Sequence, residues 1–245
     1  MAQMRFGAPL TPMVRRILIA NVAIWLVMLL GTRWFAVEAL IQGFQWTCLH
    51  PAAPDADSLA FLGGALWQPF TYMWLHDVTN IFHLLFNMIM LWLFGGLFET
   101  RWGGVAFLKF YILCGVGGAA GSLLGAAIAP ELMSGSVLGA SGAILGLIAA
   151  FGLIFPTQKI HLWFILPIEG RHIIWITIVL DTLMFLTEPR GFAFAAHMGG
   201  LLMGYLLVTG NWRPSLLKDR LQLRQIRQKK RHLRVVPDNE NKWMN

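Results

Sequence analysis

The sequence predicts an all-α membrane protein, a bundle of six transmembrane helices with a long interfacial first loop. Three observations predict it. Of the 245 residues, 57% are hydrophobic and 13% charged, where soluble domains carry about 25% charged residues. Several apolar runs approach the roughly 20 residues needed to cross a hydrocarbon core. The Lys and Arg residues then sort to one side of the fold that those runs define.

The first span covers residues 17–32, directly after Arg15-Arg16. It lacks a small-residue cleavage site, so a retained helix is expected rather than a signal peptide. Residues 33–77 hold no uninterrupted apolar run long enough to cross. Their aromatics, Trp34, Phe44, Trp46, Phe61 and Trp67, suit the headgroup level. The second span is 78–98, the third 105–129 and the fourth 137–155. An apolar but proline-broken stretch, 161–168, is expected at the interface before the fifth span at 173–187 and the sixth at 192–210. The chain thus divides into a cytoplasmic N-terminus (1–16), a membrane domain (17–210) and a basic cytoplasmic tail (211–245).

An even span number puts both termini on one side. All but Arg33 and Arg190 of the 19 Lys and Arg collect there, with Lys109 snorkelling to that face from the third span. The positive-inside rule makes that side the cytoplasm, and a bacterial inner (plasma) membrane is the expected location. The net charge of +7 does not point to nucleic acid. The tail from Leu216 to Arg227 interleaves basic and aliphatic residues without an aromatic or a recognition motif. Attraction to anionic lipid heads is the expected role. Cys48 and Cys114 lie far apart with no CxxC or His/Cys cluster, so neither a disulfide framework nor a metal is expected.

With this topology, spans two, four and six run from outside to inside. Counted from their outer ends, His83, Ser141 and His197 lie at depths of roughly 6 to 10 Å, and Asn87 one turn below His83 on the same face. Polar groups at one level in lipid are costly unless paired or hydrated, which makes the cluster a functional hypothesis. A serine is a weak nucleophile until a base takes its proton, and His197 is the imidazole at matching depth. Ala196, Gly200 and Gly204 make a smooth face on span six, and Gly142 and Gly146 another on span four. Such faces let two backbones approach closely. No acid is read at the level of His197, so a dyad is expected. Asp181 is assigned to helix-to-helix bonding or hydration within span five. An oxyanion needs donors, and the Asn87 amide, a His83 ring N–H and the Ser141 backbone N–H supply candidates.

These residues carry a resemblance. Gly139-Ala140-Ser141-Gly142 resembles the GxSG motif of rhomboid intramembrane serine proteases. His83-Leu84-Leu85-Phe86-Asn87 resembles their HxxxN motif, and Ala196-His197-Met198-Gly199-Gly200-Leu201-Leu202-Met203-Gly204 their AHxxGxxxG pattern. Gly95-Gly96-Leu97-Phe98-Glu99 with Arg101 matches the family's end of span two. The resemblance implies a rhomboid-like bundle and a serine-type endopeptidase with a catalytic Ser141/His197 dyad. It also implies His83 and Asn87 stabilising the oxyanion, and no cofactor. Its substrates would be single-span membrane proteins cut near the outer face at small residues. Three departures stand out. Leu145 replaces an aromatic that stacks on the histidine in some relatives, leaving aliphatic packing to orient the ring. Gln68 follows Trp67 where some members carry Arg, and extra residues, 77–82, separate His76 from His83.

Other chemistries lack their residues. There is no HExxH, a single intramembrane Asp makes no aspartyl pair, and Ala143 spoils a GxSxG elbow. A catalytically silent rhomboid fold that binds membrane helices is the alternative. A transporter would need paired midplane charges or broken helices in symmetric halves.

Overall fold

The computed structural model describes residues 10–51, 65–133, 135–162, 166–187 and 191–210. The basic tail from 211 onward, with His232, lies outside them, as do Arg5, Phe61 and Arg190. The major helices are α1 (Pro12–Leu29), α4 (Ile81–Trp102), α5 (Gly104–Ile128), α6 (Ser141–Ile154), α7 (Gly170–Thr187) and α8 (Gly191–Thr209). Between the first two lie α2 (Glu38–Thr47) and the single turn α3 (Gln68–Thr71). Pro12 opens α1 as its first residue, where a missing N–H costs nothing. The N–H groups of Met13 and Val14 donate to the Glu99 carboxylate, each at 2.8 Å, and Thr11 Oγ1 donates to it as well. A carboxylate from the end of α4 thus serves the unpaired N-terminus of α1.

Four helical segments are long and apolar enough to cross a membrane: Pro12–Trp34, Ile81–Trp102, Gly104–Ile128 and Gly170–Thr187. Two further apolar helical stretches among the described residues, Ser141–Ile154 and Ala193–Thr209, are shorter. At 14 residues, α6 is about 21 Å long, below the ~30 Å of a hydrocarbon core. Its expected start at Val137 is corrected to Ser141, because Gly139 adopts φ +116° and the backbone before Ser141 is not helical. The helical architecture holds, with one small addition. The proline-broken stretch forms an antiparallel hairpin, Lys159–Leu162 against Leu166–Glu169.

Glycine faces set the helix packing. A Cβ on Gly200 would collide with the Gly142 carbonyl, and one on Gly204 with the carbonyl of Gly146. The faces expected on spans four and six therefore pair one to one. A third face was not foreseen: Gly117 and Gly121 of α5 meet Gly199 of α8. At the end of the bundle away from Ser141, Phe98 stacks on Trp102 at 4.5 Å and the Arg101 guanidinium lies 5.5 Å over Phe155.

The first loop is anchored by hydrogen bonds and exposes aromatics. Gln68 is buried; its Oε1 accepts from His50 N (3.1 Å) and its Nε2 donates to the Trp46 carbonyl (3.4 Å). It does the anchoring at the position where arginine was the alternative. Trp34 is 77% exposed, and Trp46 and Trp67 stack at 5.9 Å.

Candidate active site

Ser141 is the first residue of α6, so its backbone N–H has no acceptor within the helix. The segment leading to it is held by the first loop. Val137 and Leu49 exchange backbone hydrogen bonds of 2.8 and 3.0 Å, and Gly139 N–H donates to the Tyr72 carbonyl at 3.0 Å. Glycine is required at 139 on two grounds: its φ of +116°, and the His83 Nε2 that would lie 2.7 Å from a Cβ there.

Ser141 Oγ lies 2.7 Å from His197 Nε2, and His197 Nδ1 lies 2.7 Å from Asp181 Oδ1. The side chains of His197 and Asp181 are 23% and 13% exposed. Both contacts are within hydrogen-bonding distance for good donors and acceptors. The expectation that no acid reaches His197 is overturned. Asp181 stands six positions from the outer end of α7 at Thr187, and His197 six positions into α8 from Gly191. At 1.5 Å per residue both are about 9 Å deep. The depth count that paired Ser141 with His197 finds Asp181 too, once the antiparallel helix is counted from its far end. The reading of Leu145 as the residue that orients the ring gives way accordingly: Leu145 packs in the core, and the polar contact on Nδ1 comes from Asp181.

His83 and Asn87 join the same site. The Asp77 backbone N–H donates to His83 Nδ1 at 3.4 Å, which in the neutral ring leaves the hydrogen on Nε2. That nitrogen faces the strand of chain at Gly139, beside Ser141. Asn87 Nδ2 donates to the His83 carbonyl at 2.7 Å, so one amide hydrogen is engaged and the second remains. His76 packs its ring 5.3 Å from that of His83. Burial, with the neighbouring His83 second, pulls its pKa down to about 3, so His76 is a neutral packing partner. Burial pushes the Cys48 thiol up to about 12, which removes it as a nucleophile.

Ser141, His197, His83, Asn87 and Asp181 all line one cavity of about 590 Å³. Its lining also includes Phe82 and Phe86 of α4 and Met184 and Phe185 of α7. Tyr72 forms part of the floor, its hydroxyl donating to the Gly115 carbonyl at 2.7 Å.

The rhomboid domain, as a family, matches residues 63–213. Rhomboid protein 1, mitochondrial, of Saccharomyces cerevisiae is 33% identical over 131 residues, covering 52% of this chain and 37% of its own length. RHOMBOID-like protein 6, mitochondrial, of Arabidopsis thaliana is 28% identical over 231 residues, covering 83% of this chain and 68% of its own length. Presenilin-associated rhomboid-like protein, mitochondrial, of Homo sapiens is 30% identical over 132 residues, covering 53% and 34%. The chain therefore spans only 37% of the yeast relative's length and 34% of the human one's. These relatives lend no support to the expected bacterial inner membrane. With the family's domain on more than half of the chain and its three motifs meeting in one cavity, this membrane protein belongs to the rhomboid family.

Proposed function

We propose that this chain is an intramembrane serine endopeptidase that hydrolyses peptide bonds of transmembrane-helix substrates. The observation that carries the reading is the 2.7 Å contact between Ser141 Oγ and His197 Nε2 in an open cavity. His197 Nε2 takes the hydroxyl proton as Oγ attacks the scissile carbonyl. The Ser141 backbone N–H at the positive end of α6, the His83 Nε2–H and the second Asn87 amide hydrogen are the donors for the developing oxyanion. Collapse expels the amine, which leaves with the proton from His197. Water then repeats the sequence on the acyl-enzyme and releases the acid.

Substrates are single-span helices entering between α4 and α7, whose Phe82, Phe86, Met184 and Phe185 line the cavity. The termini lie in the cytoplasm and cleavage occurs near the opposite face, in keeping with the distribution of Lys and Arg. The basic tail from Arg213 to Lys242 rests on anionic lipid heads. The test is cleavage of a helical reporter in liposomes, with fluorophosphonate labelling in parallel. Wild-type protein labels and cleaves, whereas Ser141→Ala loses both and His197→Ala loses cleavage. Cleavage surviving Ser141→Ala refutes the assignment.

A further inference from the structure

The dyad that the family motifs supply leaves the second nitrogen of the histidine ring unassigned. Here a carboxylate takes it. Three observations bear on what that carboxylate does. The Nδ1–Oδ1 distance is 2.7 Å, with Asp181 lining the same cavity as Ser141. The partner oxygen, Oδ2, is buried with no hydrogen-bond partner among the described residues. Asp181 therefore gives its polar bonding to the imidazole, not to a general helix-to-helix network. The register of α7 on α8 also serves this contact. Phe185, one turn beyond Asp181, stacks on Phe194 at 5.1 Å with an interplanar angle of 25°. In an antiparallel pair, that second rung, 185 on 194, fixes the first, 181 on 197.

An imidazole in the neutral state carries one hydrogen. A carboxylate accepts and cannot donate, so Asp181 holds that hydrogen on Nδ1 and leaves Nε2 as a lone pair facing Ser141 Oγ. When the ring takes the serine proton, the adjacent negative charge stabilises the imidazolium. Without the carboxylate, the ring is free to adopt the Nε2–H tautomer, which cannot accept from serine.

We propose that Asp181 is a positioning residue that completes a Ser141–His197–Asp181 triad by locking the tautomer and orientation of His197. The inference rests on the protease reading above. It adds that the acid comes from α7, which also carries Met184 and Phe185 of the cavity wall.

The experiment uses the full chain in detergent or liposomes, with wild type, Ser141→Ala, Asp181→Asn and Asp181→Glu compared. Readouts are the fluorophosphonate labelling rate, kcat and KM for a helical reporter, and thermal unfolding. Asp181→Asn is expected to lower kcat and the labelling rate by roughly 10²- to 10⁴-fold with KM and unfolding temperature nearly unchanged. Asp181→Glu restores part of the rate. Wild-type labelling and kcat in a folded Asp181→Asn variant overturn the proposal, and so does a change confined to KM. Failure of the wild type to label at Ser141 at all sinks the protease reading instead, so the two failures are distinguishable. A measurement on the unaltered protein covers an Asn variant that does not fold. With ¹⁵N-histidine labelling, long-range ¹H–¹⁵N correlation is expected to show His197 as the Nδ1–H tautomer near neutral pH. The Nε2–H tautomer overturns the proposal.

Discussion

A single methyl group on Gly200 tests whether the glycine faces exist to bring serine and histidine together. A Cβ built there lies 2.6 Å from the Gly142 carbonyl carbon and 2.9 Å from its Cα, where carbon atoms ordinarily rest about 3.5 to 4.0 Å apart. Both obstacles are backbone, so neither can rotate away, and α6 and α8 must part by about 1 Å. Ser141 precedes Gly142 on α6 and His197 lies one turn before Gly200 on α8. The 2.7 Å Oγ–Nε2 contact then opens beyond hydrogen-bond reach of about 3.2 Å. A positioned general base is worth roughly 10²- to 10⁴-fold, and Gly200→Ala is expected to lose most of that in reporter cleavage and labelling. Overpacking costs roughly 1–3 kcal/mol, so the unfolding temperature falls without loss of the fold. Gly204→Ala, meeting Gly146 Cα at 2.6 Å one turn further from the site, destabilises similarly but reduces activity less. Gly43→Ala, with no described residue within 4 Å of the added atom, is the control and leaves activity unchanged. Wild-type cleavage and labelling by Gly200→Ala would refute the argument that this contact sets the catalytic distance.

Glu99→Ala strips the acceptor from the Met13 and Val14 N–H groups and the Thr11 hydroxyl. It is expected to cost about 3–5 kcal/mol, with Glu99→Gln losing less in unfolding measurements. A change below about 0.5 kcal/mol would remove the cap from the account. Asn87→Ala is expected to reduce kcat by about 10- to 10³-fold, and an effect on KM alone would deny it an oxyanion role. His76 gives a pH signature. Its folded value, near 3, lies below the ordinary 6.5, so the unfolded chain binds the proton first. Its contribution is complete above pH 6.5 and is lost at about 1.4 kcal/mol per unit as pH falls toward 3. His76→Asn should flatten the acid limb of the stability profile relative to wild type, and identical slopes would contradict the burial argument.

The parts of the fold written in periodicity and glycine spacing were legible in the sequence. Gly142 and Gly146 meeting Gly200 and Gly204 is a four-residue repeat that shows on one helix and requires its complement on another. Ser141 and His197 followed from the same logic, though partly for the wrong reason. A helical count from Val137 misjudges the depth of Ser141, because the backbone there is extended and bonded to Leu49. Asp181 escaped because it was placed by its position within span five, not by its distance from that span's outer end. The hairpin at Lys159–Leu162 and Leu166–Glu169 was hidden by an apolar run broken by Pro167, which sits opposite His161. The engagement of Gln68 was also beyond sequence reach. Its partners, His50 and Trp46, are 18 and 22 residues away, and no local pattern encodes that closure.

What the first loop does in this bundle follows from those closures. A serine at the start of a short helix needs the preceding backbone to descend to its level without lipid contact, since unpaired amides are costly in hydrocarbon. Residues before Ser141 meet that demand with bonds from the loop: Leu49 to Val137 and the Tyr72 carbonyl to Gly139. The Tyr72 hydroxyl extends the bracket to Gly115 on α5, and it lies 3.2 Å from where a Cβ on Gly142 would sit. Burial raises its pKa, keeping it a donor. The loop, α5 and the start of α6 are therefore one hydrogen-bonded unit, and α8 docks on it through Gly200. On the protease reading, the nucleophile belongs to this unit, and His83 and Asn87 join it from α4. Asp181 arrives on α7, whose buried residues, Gly170 and Ile173, lie near the opposite end of that helix. If the chain is a protease, holding Ser141 in a bonded unit serves the reaction, because oxyanion donors must be fixed before charge develops.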